Sequence, residues 1–232
     1  IETSDLHGAF FPYDFKTGKD KPTSLSNVAT LIADERAKGE VLLLDNGDNL
    51  QGQPIVYYYN FEKTGVPHPL SQMFNYLNYD VVGFGNHDVE TGHAVYDKVA
   101  REMNAGFVAA NLVKKSDGSP YFPPYKMVKK AGLKIAVLGL IEPAFVKNFP
   151  EVLYEGLKVE GMVPSAQKWV PIIQTREKPD MIIGLFHSGV DYTYGGYKKE
   201  DPLNENASQL VAEQVPGFDL VLVGHDHQGW DG

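Results

Sequence analysis

The sequence contains no cysteine, which excludes disulfide bonds and any metal site built on thiolates. A metal would have to be bound by His, Asp, Glu or Asn side chains. No stretch of about 18 apolar residues occurs, so no membrane-spanning helix is predicted. Basic residues are also in deficit, since 21 Lys and Arg against 30 Asp and Glu give a formal net charge of -9. This balance argues against a nucleic-acid-binding surface, which needs clustered basic side chains.

Length and composition indicate the class of fold. At 232 residues with 43% hydrophobic content, the chain can bury a sizeable core and fits one large α/β domain. It starts at Ile1 rather than at methionine and stops at Gly232, shortly after a polar cluster. We therefore expect a piece of a longer protein from which an N-terminal segment has been removed.

Apolar runs separated by capping and turn residues predict alternating helices and strands. The predicted helices cover residues 24–38, 54–61, 69–77, 92–104, 164–176 and 206–214. The predicted strands cover residues 1–3, 41–44, 81–84, 107–112, 181–186 and 220–223, with a hairpin joining 125–130 to 134–140. Strands separated by helices pair in parallel through right-handed crossovers, so their carboxyl ends are expected to meet at one edge of a sheet.

Polar side chains capable of binding a metal follow five of these strands. They are Asp5 and His7, then Asp48, then Asn86 and His87, then His187, and finally His225 and His227. Five of the seven histidines therefore fall at strand ends. The other two, His68 and His93, are expected to be structural because an isolated histidine is common.

The chemistry of this set predicts a metal centre. Imidazoles, carboxylates and one amide favour first-row dications such as Zn, Mn, Fe or Co over Ca or Mg, which prefer oxygen ligands alone. Seven candidate ligands exceed the needs of one four-coordinate ion: Asp5, His7, Asp48, Asn86, His187, His225 and His227. The sequence therefore predicts two divalent metal ions that share one bridging carboxylate.

The ordered motifs resemble those of a known family. The series is Asp5-x-His7, Gly47-Asp48, Gly85-Asn86-His87-Asp88, His187 and Gly224-His225-x-His227. It resembles the calcineurin-like metallophosphoesterase superfamily over essentially the whole chain. Residues 1–8 and 47–52 are similar to the 5'-nucleotidase branch, which includes UDP-sugar hydrolases and 2',3'-cyclic-nucleotide phosphodiesterases.

This resemblance implies a fold and a domain plan. The fold would be an α/β four-layer αββα sandwich with the dinuclear site at the carboxyl ends of the strands. Residues 1–232 would form the catalytic domain, and a separate C-terminal substrate domain would lie outside this chain. The enzyme would be periplasmic or secreted.

The resemblance also implies a role for each site residue. One metal would be held by Asp5, His7 and His227, the other by Asn86, His187 and His225, with Asp48 bridging. A metal-bound hydroxide would attack phosphorus in line, without a covalent enzyme intermediate, while His87 assists the leaving alkoxide. Nucleotidases often carry Gln at the position of His227, so the metal preference is not carried over.

The residues after His87 differ from the usual nucleotidase pattern. That pattern is Glu-Phe-Asp, whereas this chain has Asp88-Val89-Glu90. Glu90 would therefore replace the carboxylate that orients the catalytic histidine, with Asp88 as the alternative.

Three functions stay open at this stage. The first is hydrolysis of small nucleotides or another phosphate ester, either as monoesters or as cyclic diesters. The second is a metal-dependent nuclease of the same superfamily, against which the acidic balance weighs. The third is a catalytically silent metal-binding module, although no ligand position is lost.

Two groups of tyrosines carry further expectations. Tyr57, Tyr58 and Tyr59 are expected to pack against the core. Tyr192, Tyr194 and Tyr197 lie in a loop beside the predicted site, where a base could stack on them. Packing or surface placement is the expectation for this loop.

Overall fold

The computed structural model describes residues 1–15 and 17–229. In chain order its strands are β1 (Glu2–Thr3), β2 (Tyr13–Asp14), β3 (Lys19–Asp20), β4 (Leu44–Asp45), β5 (Val81–Gly83), β6 (Phe107–Val108), β7 (Leu112–Lys114), β8 (Tyr125–Lys130), β9 (Leu133–Ile141), β10 (Leu157–Val159), β11 (Met181–His187) and β12 (Leu220–Val223). Its α-helices are α1 (Leu25–Lys38), α2 (Pro54–Tyr57), α3 (Pro69–Leu77), α4 (Asn86–Val89), α5 (His93–Glu102), α6 (Phe145–Asn148), α7 (Met162–Arg176) and α8 (Ser208–Gln214). A π-helical turn, Tyr58–Glu62, continues α2. Within the described ranges no helix is both long and apolar enough to cross a membrane.

Two four-stranded sheets carry the fold. In the first sheet the order is β1-β4-β5-β6 and all strands are parallel. In the second sheet the order is β12-β11-β9-β8; the first three strands are parallel, and β8 forms an antiparallel hairpin with β9. The parallel strands of both sheets are joined through helices, as their sequence pattern predicts.

The side chains of each strand alternate between two faces of its sheet. Val81 of β5 and Val137 of β9 lie in one apolar cluster formed by both sheets, so the sheets pack face to face. On the outer faces, Val82 packs with α1, α3 and α5, whereas Ala136 and Leu138 pack with α7 and α8. The resulting order of helix, sheet, sheet and helix is the predicted four-layer αββα sandwich.

The candidate ligands come from two sheets rather than from the edge of one. Strands β1, β4 and β5 belong to the first sheet, and β11 and β12 belong to the second. The expectation of a single sheet edge, drawn from the alternation of strands and helices, is therefore wrong. Hydrophobic periodicity reports which faces of a strand are buried, but it does not report which strands share a sheet.

Most predicted elements are present with shifted ends. Helix α1 follows Ser24, whose hydroxyl accepts a hydrogen bond from the Asn27 amide (3.4 Å), and it stops before Gly39. The predicted strand 107–112 is two strands, because the intervening Ala110 amide donates to the Gly139 carbonyl of the other sheet (2.8 Å). The predicted strand 41–44 overlaps β4 at Leu44 alone, since β4 begins there and extends to Asp45, and the helix predicted from residue 164 begins two residues earlier.

The expectation that three consecutive tyrosines pack against the core is wrong for two of them. Tyr57 is 58% exposed and Tyr58 is 49% exposed. In this helical stretch the buried side chains are those of Val56 and Asn60. Their spacing of four places them on one face of the helix and turns the two tyrosines toward solvent.

The two histidines outside the strand ends hold structure together. His68 is buried, its Nδ1 accepts a hydrogen bond from the Leu70 amide (3.2 Å), and its Nε2 lies 3.1 Å from Asn60 Oδ1. Burial, aided by the charge of Lys98, lowers the pKa of His68 to about 4 and keeps it neutral. The His93 imidazole contacts the Asp97 carboxylate (3.2 Å) on the same helix.

Candidate metal centre

Each candidate ligand lies at or just beyond the carboxyl end of a strand. His187 is the last residue of β11, and Asn86 opens α4 three residues after β5 ends. The remaining ligands follow β1, β4 and β12, and they are Asp5 and His7, Asp48, and His225 and His227 respectively. All seven side chains are described, and they form two adjoining groups.

The first ligand group consists of Asp5, His7 and His227. The Nε2 atoms of His7 and His227 are 3.3 Å apart. Asp5 Oδ1 lies 4.0 Å from His7 Nε2 and 3.4 Å from His227 Nε2. Asp5 Oδ1 is buried and accepts no hydrogen bond from the described residues. A buried carboxylate oxygen without a hydrogen-bond donor is costly if nothing binds to it. Its place between two imidazole nitrogens is suited to a bound cation.

The second ligand group consists of Asp48, His187 and His225, and the Asn86 amide joins it. Asn86 Oδ1 lies 3.1 Å from His187 Nε2 and 3.0 Å from His225 Nδ1. His187 is fully buried, whereas His225 is partly exposed. Two imidazoles, a carboxylate and an amide oxygen form a donor set suited to Zn, Mn or Fe.

Asp48 lies between the two groups. Its Oδ2 is 3.2 Å from His187 Nε2 and 3.9 Å from His7 Nε2, while its Oδ1 accepts the His87 amide (2.8 Å). A Cβ at Gly85 would overlap Asp48 Oδ1, so the glycine lets the end of β5 approach this carboxylate. Asp48 thus faces a histidine of each ligand group.

Burial and mutual attraction set the charges of this pair. Burial disfavours the charge of each group, but the facing His187 imidazole lowers the pKa of Asp48. For the same reason the Asp48 carboxylate raises the pKa of the buried His187. The attraction between the Asp48 carboxylate and the His187 imidazole therefore opposes the cost of burying both groups.

The backbone holds most of the ligands in an uncommon conformation. Eight described residues other than glycine have a positive φ, and five of these are candidate ligands. They are Asp5, His7, Asp48, His225 and His227, with φ values from 46° to 78°. Such conformations cost free energy and persist only where the surrounding structure fixes them. The ligand loops are therefore held in place by the fold.

Hydrogen bonds orient the imidazole rings. His7 Nδ1 lies 3.1 Å from the Gln51 carbonyl, and His187 Nδ1 lies 2.8 Å from the Asn46 carbonyl. A carbonyl only accepts, so each Nδ1 carries the proton and each Nε2 lone pair points into its ligand group. His225 is reversed, because its Nε2 faces Glu205 Oε2 at 3.7 Å and its Nδ1 faces the site.

His87 stands next to the ligand groups with a carboxylate behind it. Its Nδ1 lies 2.6 Å from Glu90 Oε2, and its ring centroid is 5.4 Å from that of His7. The ring is also 6.0 Å from the Phe149 ring. About a third of the His87 side chain is exposed, so its Nε2 edge can reach a ligand in solution.

Asp88 has a different environment from Glu90. Its buried carboxylate accepts hydrogen bonds from four backbone amides, at 2.9–3.0 Å. The donors are the amides of Asp48, Asn49, Leu50 and Gly85. Asp88 therefore ties the loop after β4 to the start of α4, and the carboxylate in contact with His87 is Glu90.

Two acids near the site were not among the sequence-predicted residues. Glu142 directly follows β9, is buried, and accepts the amides of Ala144 (2.5 Å) and Phe145 (3.1 Å). Burial raises the pKa of Glu142 to about 7. Because Glu142 follows a strand, the pattern of polar residues at strand ends could have predicted it as a site residue. Glu205, in a loop with no periodic pattern, left no comparable signal.

Comparisons with known proteins agree with this geometry. A family model described as calcineurin-like phosphoesterase matches residues 1–229. The chain is 30% identical over 244 residues to a 2',3'-cyclic-nucleotide 2'-phosphodiesterase/3'-nucleotidase of Yersinia enterocolitica, covering 98% of this chain and 36% of that protein. It is 28% identical over 232 residues to a 5'-nucleotidase of Vibrio cholerae, covering 98% of this chain and 40% of that protein.

Solved structures show the same likeness. The calcineurin-like phosphoesterase YfkN from Bacillus subtilis matches with a TM-score of 0.89 at 26% identity, covering 100% of this chain and 72% of that one. A putative 5'-nucleotidase from Staphylococcus aureus shares the fold, with a TM-score of 0.86 at 23% identity, covering 100% of this chain and 45% of that one. The chain spans 36% and 40% of the length of the two curated relatives above.

Proposed function

The chain belongs to the calcineurin-like phosphoesterase family, and on that premise we propose that it is a dinuclear-metal-dependent hydrolase of nucleotide phosphate esters. The observation that carries the proposal is the convergence of seven ligand side chains into two groups around Asp48. Relatives named as 2',3'-cyclic-nucleotide phosphodiesterases and 5'-nucleotidases support nucleotides as the substrate class.

In the proposed site Asp5, His7 and His227 would hold one divalent ion, and Asn86, His187 and His225 would hold the other, with Asp48 shared. Two such ions would supply Lewis acidity to the phosphate oxygens and lower the pKa of water. The protein would fix the ligands in position before the substrate arrives. The buried pair Asp48 and His187 and the ligand loops with positive φ support this role. The donor set favours Zn, Mn or Fe.

His87 is the proposed proton donor to the leaving alcohol. Its Nδ1 is bonded to Glu90, so a proton on Nε2 is directed at the open side of the ring. The Glu90 carboxylate holds the ring in position and stabilises the protonated imidazole. Asp88, whose oxygens are taken up by backbone amides, acts as a positioning residue for the loop that carries Asp48.

The central experiment measures metal content and turnover together. Purified chain is stripped of metal, reloaded with Mn or Zn, and assayed with 5'-AMP, 3'-AMP, 2',3'-cyclic AMP and an aryl phosphate. We expect two ions per chain and hydrolysis that depends on the metal. The substitution His87→Ala should reduce the rate of this hydrolysis at least about a hundredfold. Two bound ions without turnover of any ester would favour the catalytically silent module. Absence of metal binding would overturn the ligand assignment.

We also propose a periplasmic or secreted location. The ground is the similarity of residues 1–8 and 47–52 to the 5'-nucleotidase branch. Fractionation of the source cells, with an antibody against this chain, tests it. Recovery of the protein with cytosolic markers would contradict the proposal.

A further inference from the structure

The loop between β11 and α8 places a carboxylate behind one of the candidate ligands. Glu205 Oε2 lies 3.7 Å from His225 Nε2, across the ring from the Nδ1 atom that faces Asn86. This separation is longer than a hydrogen bond and within the range of an ion pair. No step of the proposed hydrolysis uses Glu205.

The backbone of Glu205 is fixed to the strand that carries another ligand. Its carbonyl accepts hydrogen bonds from the Ser188 hydroxyl (2.7 Å) and the Gly189 amide (3.2 Å). These two residues directly follow His187 at the end of β11. Ser188 is fully buried, and its hydroxyl also accepts the Ala207 amide (2.9 Å). Glu205 is therefore anchored beside the second ligand group.

The environment of His225 differs from that of two other candidate ligands. His7 Nδ1 and His187 Nδ1 face backbone carbonyls, at 3.1 Å and 2.8 Å. A carbonyl is a neutral acceptor, whereas the Glu205 carboxylate carries a full negative charge at neutral pH. The side chains of His225 and Glu205 are 16% and 28% exposed, so solvent screens their attraction only in part.

The position of this charge bears on how His225 binds a cation. Binding through Nδ1 requires the ring proton on Nε2, because a neutral imidazole carries one proton. A carboxylate beside Nε2 favours that tautomer and makes the ring a stronger ligand. It also attracts the positive charge that the ring gains when Nδ1 binds a cation.

We propose that Glu205 is a positioning residue that fixes the His225 ring and its tautomer, and thereby raises the affinity of the second ligand group for its ion. The proposal rests on the function proposed above, because it takes that group as a metal site. In this role Glu205 acts through His225 and is not itself a ligand.

Metal affinity, measured without any substrate, tests this role. The metal-free chain is titrated with Zn in competition with a chromogenic chelator. Glu205→Gln keeps the size of the side chain and an acceptor oxygen but removes the charge. This variant should bind the ion of the second ligand group about 10- to 100-fold more weakly, the usual effect of removing the partner of a ligating histidine. Asp5→Asn, which should weaken the other ion, provides a background for measuring the second ligand group.

A double substitution shows whether Glu205 acts through His225. His225→Ala removes the ring, so adding Glu205→Gln to it should change the Zn affinity by less than about twofold. A chelator of lower affinity keeps these weaker constants measurable. Two losses that simply add would show that Glu205 acts independently of the ring, and they would overturn the proposal.

Asp191→Asn is the matched control for charge. Asp191 lines the same cavity of about 450 Å³ as Glu205 and His225, but its Oδ1 is bonded to the Thr193 amide (2.9 Å) and hydroxyl (2.7 Å). The substitution removes the same charge from the cavity and should leave the Zn affinity within about twofold, because solvent screens an exposed carboxylate. Equal losses from Asp191→Asn and Glu205→Gln would overturn the proposal, as would an unchanged affinity in Glu205→Gln.

The two proposals fail in different ways. The expected affinities without turnover of any phosphate ester would support the role of Glu205 and refute the phosphoesterase function. Metal-dependent turnover with an unchanged affinity in Glu205→Gln would support the function and refute the positioning role. No binding of Zn or Mn by the unsubstituted chain would overturn both.

Discussion

The Nδ1 atom of His87 lies 2.6 Å from Oε2 of Glu90, three residues further along the chain. Asp88, which directly follows His87 in sequence, does not contact the imidazole. Its carboxylate accepts hydrogen bonds from backbone amides. Two neighbouring carboxylates therefore have separate tasks, and substitution at each should have a different consequence.

Glu90→Gln should reduce turnover about 10- to 100-fold, the usual effect of removing a carboxylate that supports a catalytic or ligating histidine. Proton donation matters more for a poor leaving group, so hydrolysis of AMP should fall further than hydrolysis of a nitrophenyl phosphate. Steady-state kcat and KM with both substrates measure this difference. Asp97→Asn alters a comparable carboxylate beside His93, away from the site, and should change neither rate.

Asp88→Ala should destabilise the fold by about 3 kcal/mol or more, because it leaves several buried backbone donors without an acceptor. Urea unfolding of the metal-free chain measures the loss. Glu90→Ala serves as the comparison, since its side chain is 36% exposed and its removal should cost less than about 1 kcal/mol. Equal losses in the two variants would contradict the division of roles.

Asp48→Asn should weaken the binding of both ions, whereas Asp5→Asn should weaken the binding of the ion in the first ligand group. Asp48 Oδ2 faces histidines of both groups, and Asp5 faces His7 and His227. Metal analysis after dialysis should find less than one ion per chain in the first variant and about one in the second. Loss of a single ion from Asp48→Asn would show that the carboxylate does not bridge.

Stability of the metal-free chain should fall as pH rises between about 4.5 and 6.5. Burial raises the pKa of Glu2, Asp45 and Glu142 to about 7, so over this range they are protonated in the folded chain and ionised in the unfolded one. The folded state then binds more protons, and each such group lowers stability by up to about 1.4 kcal/mol per pH unit. The pKa of Asp48 is shifted below this window and that of His187 above it. His68, whose pKa is lowered to about 4, acts in the opposite direction, but one such group does not reverse the sign set by three.

Asp45→Asn isolates one contribution to this slope. Asp45 accepts hydrogen bonds from Thr3 (2.6 Å) and Asn49 (2.6 Å), which an amide can largely preserve. Urea unfolding at several pH values should show a shallower decline for the variant. The exposed change Asp117→Asn should leave the slope intact, and a decline of equal steepness in all three proteins would rule out buried Asp45 as a source.

The positions of the ligands could be predicted because each follows an apolar run and a turn. His187 and His225 illustrate this, since β11 and β12 end where their hydrophobic residues end. The distribution of those strands between two sheets could not be predicted, because the same alternation of strands and helices is compatible with one sheet or with two. Glu205 could not be predicted either, since its role depends on a tertiary contact with His225.

The first ligand group joins the two ends of a chain that has no disulfide. His7 and His227 are 220 positions apart in sequence, yet their Nε2 atoms are 3.3 Å apart. An ion bound by both would link segments at opposite ends of the described chain. Because these ligands come together in the folded chain, the ion would stabilise that state by binding it in preference to the unfolded one. The ion that prepares the site for chemistry would then also be the cross-link of the fold, so chelation should lower its cooperative melting temperature.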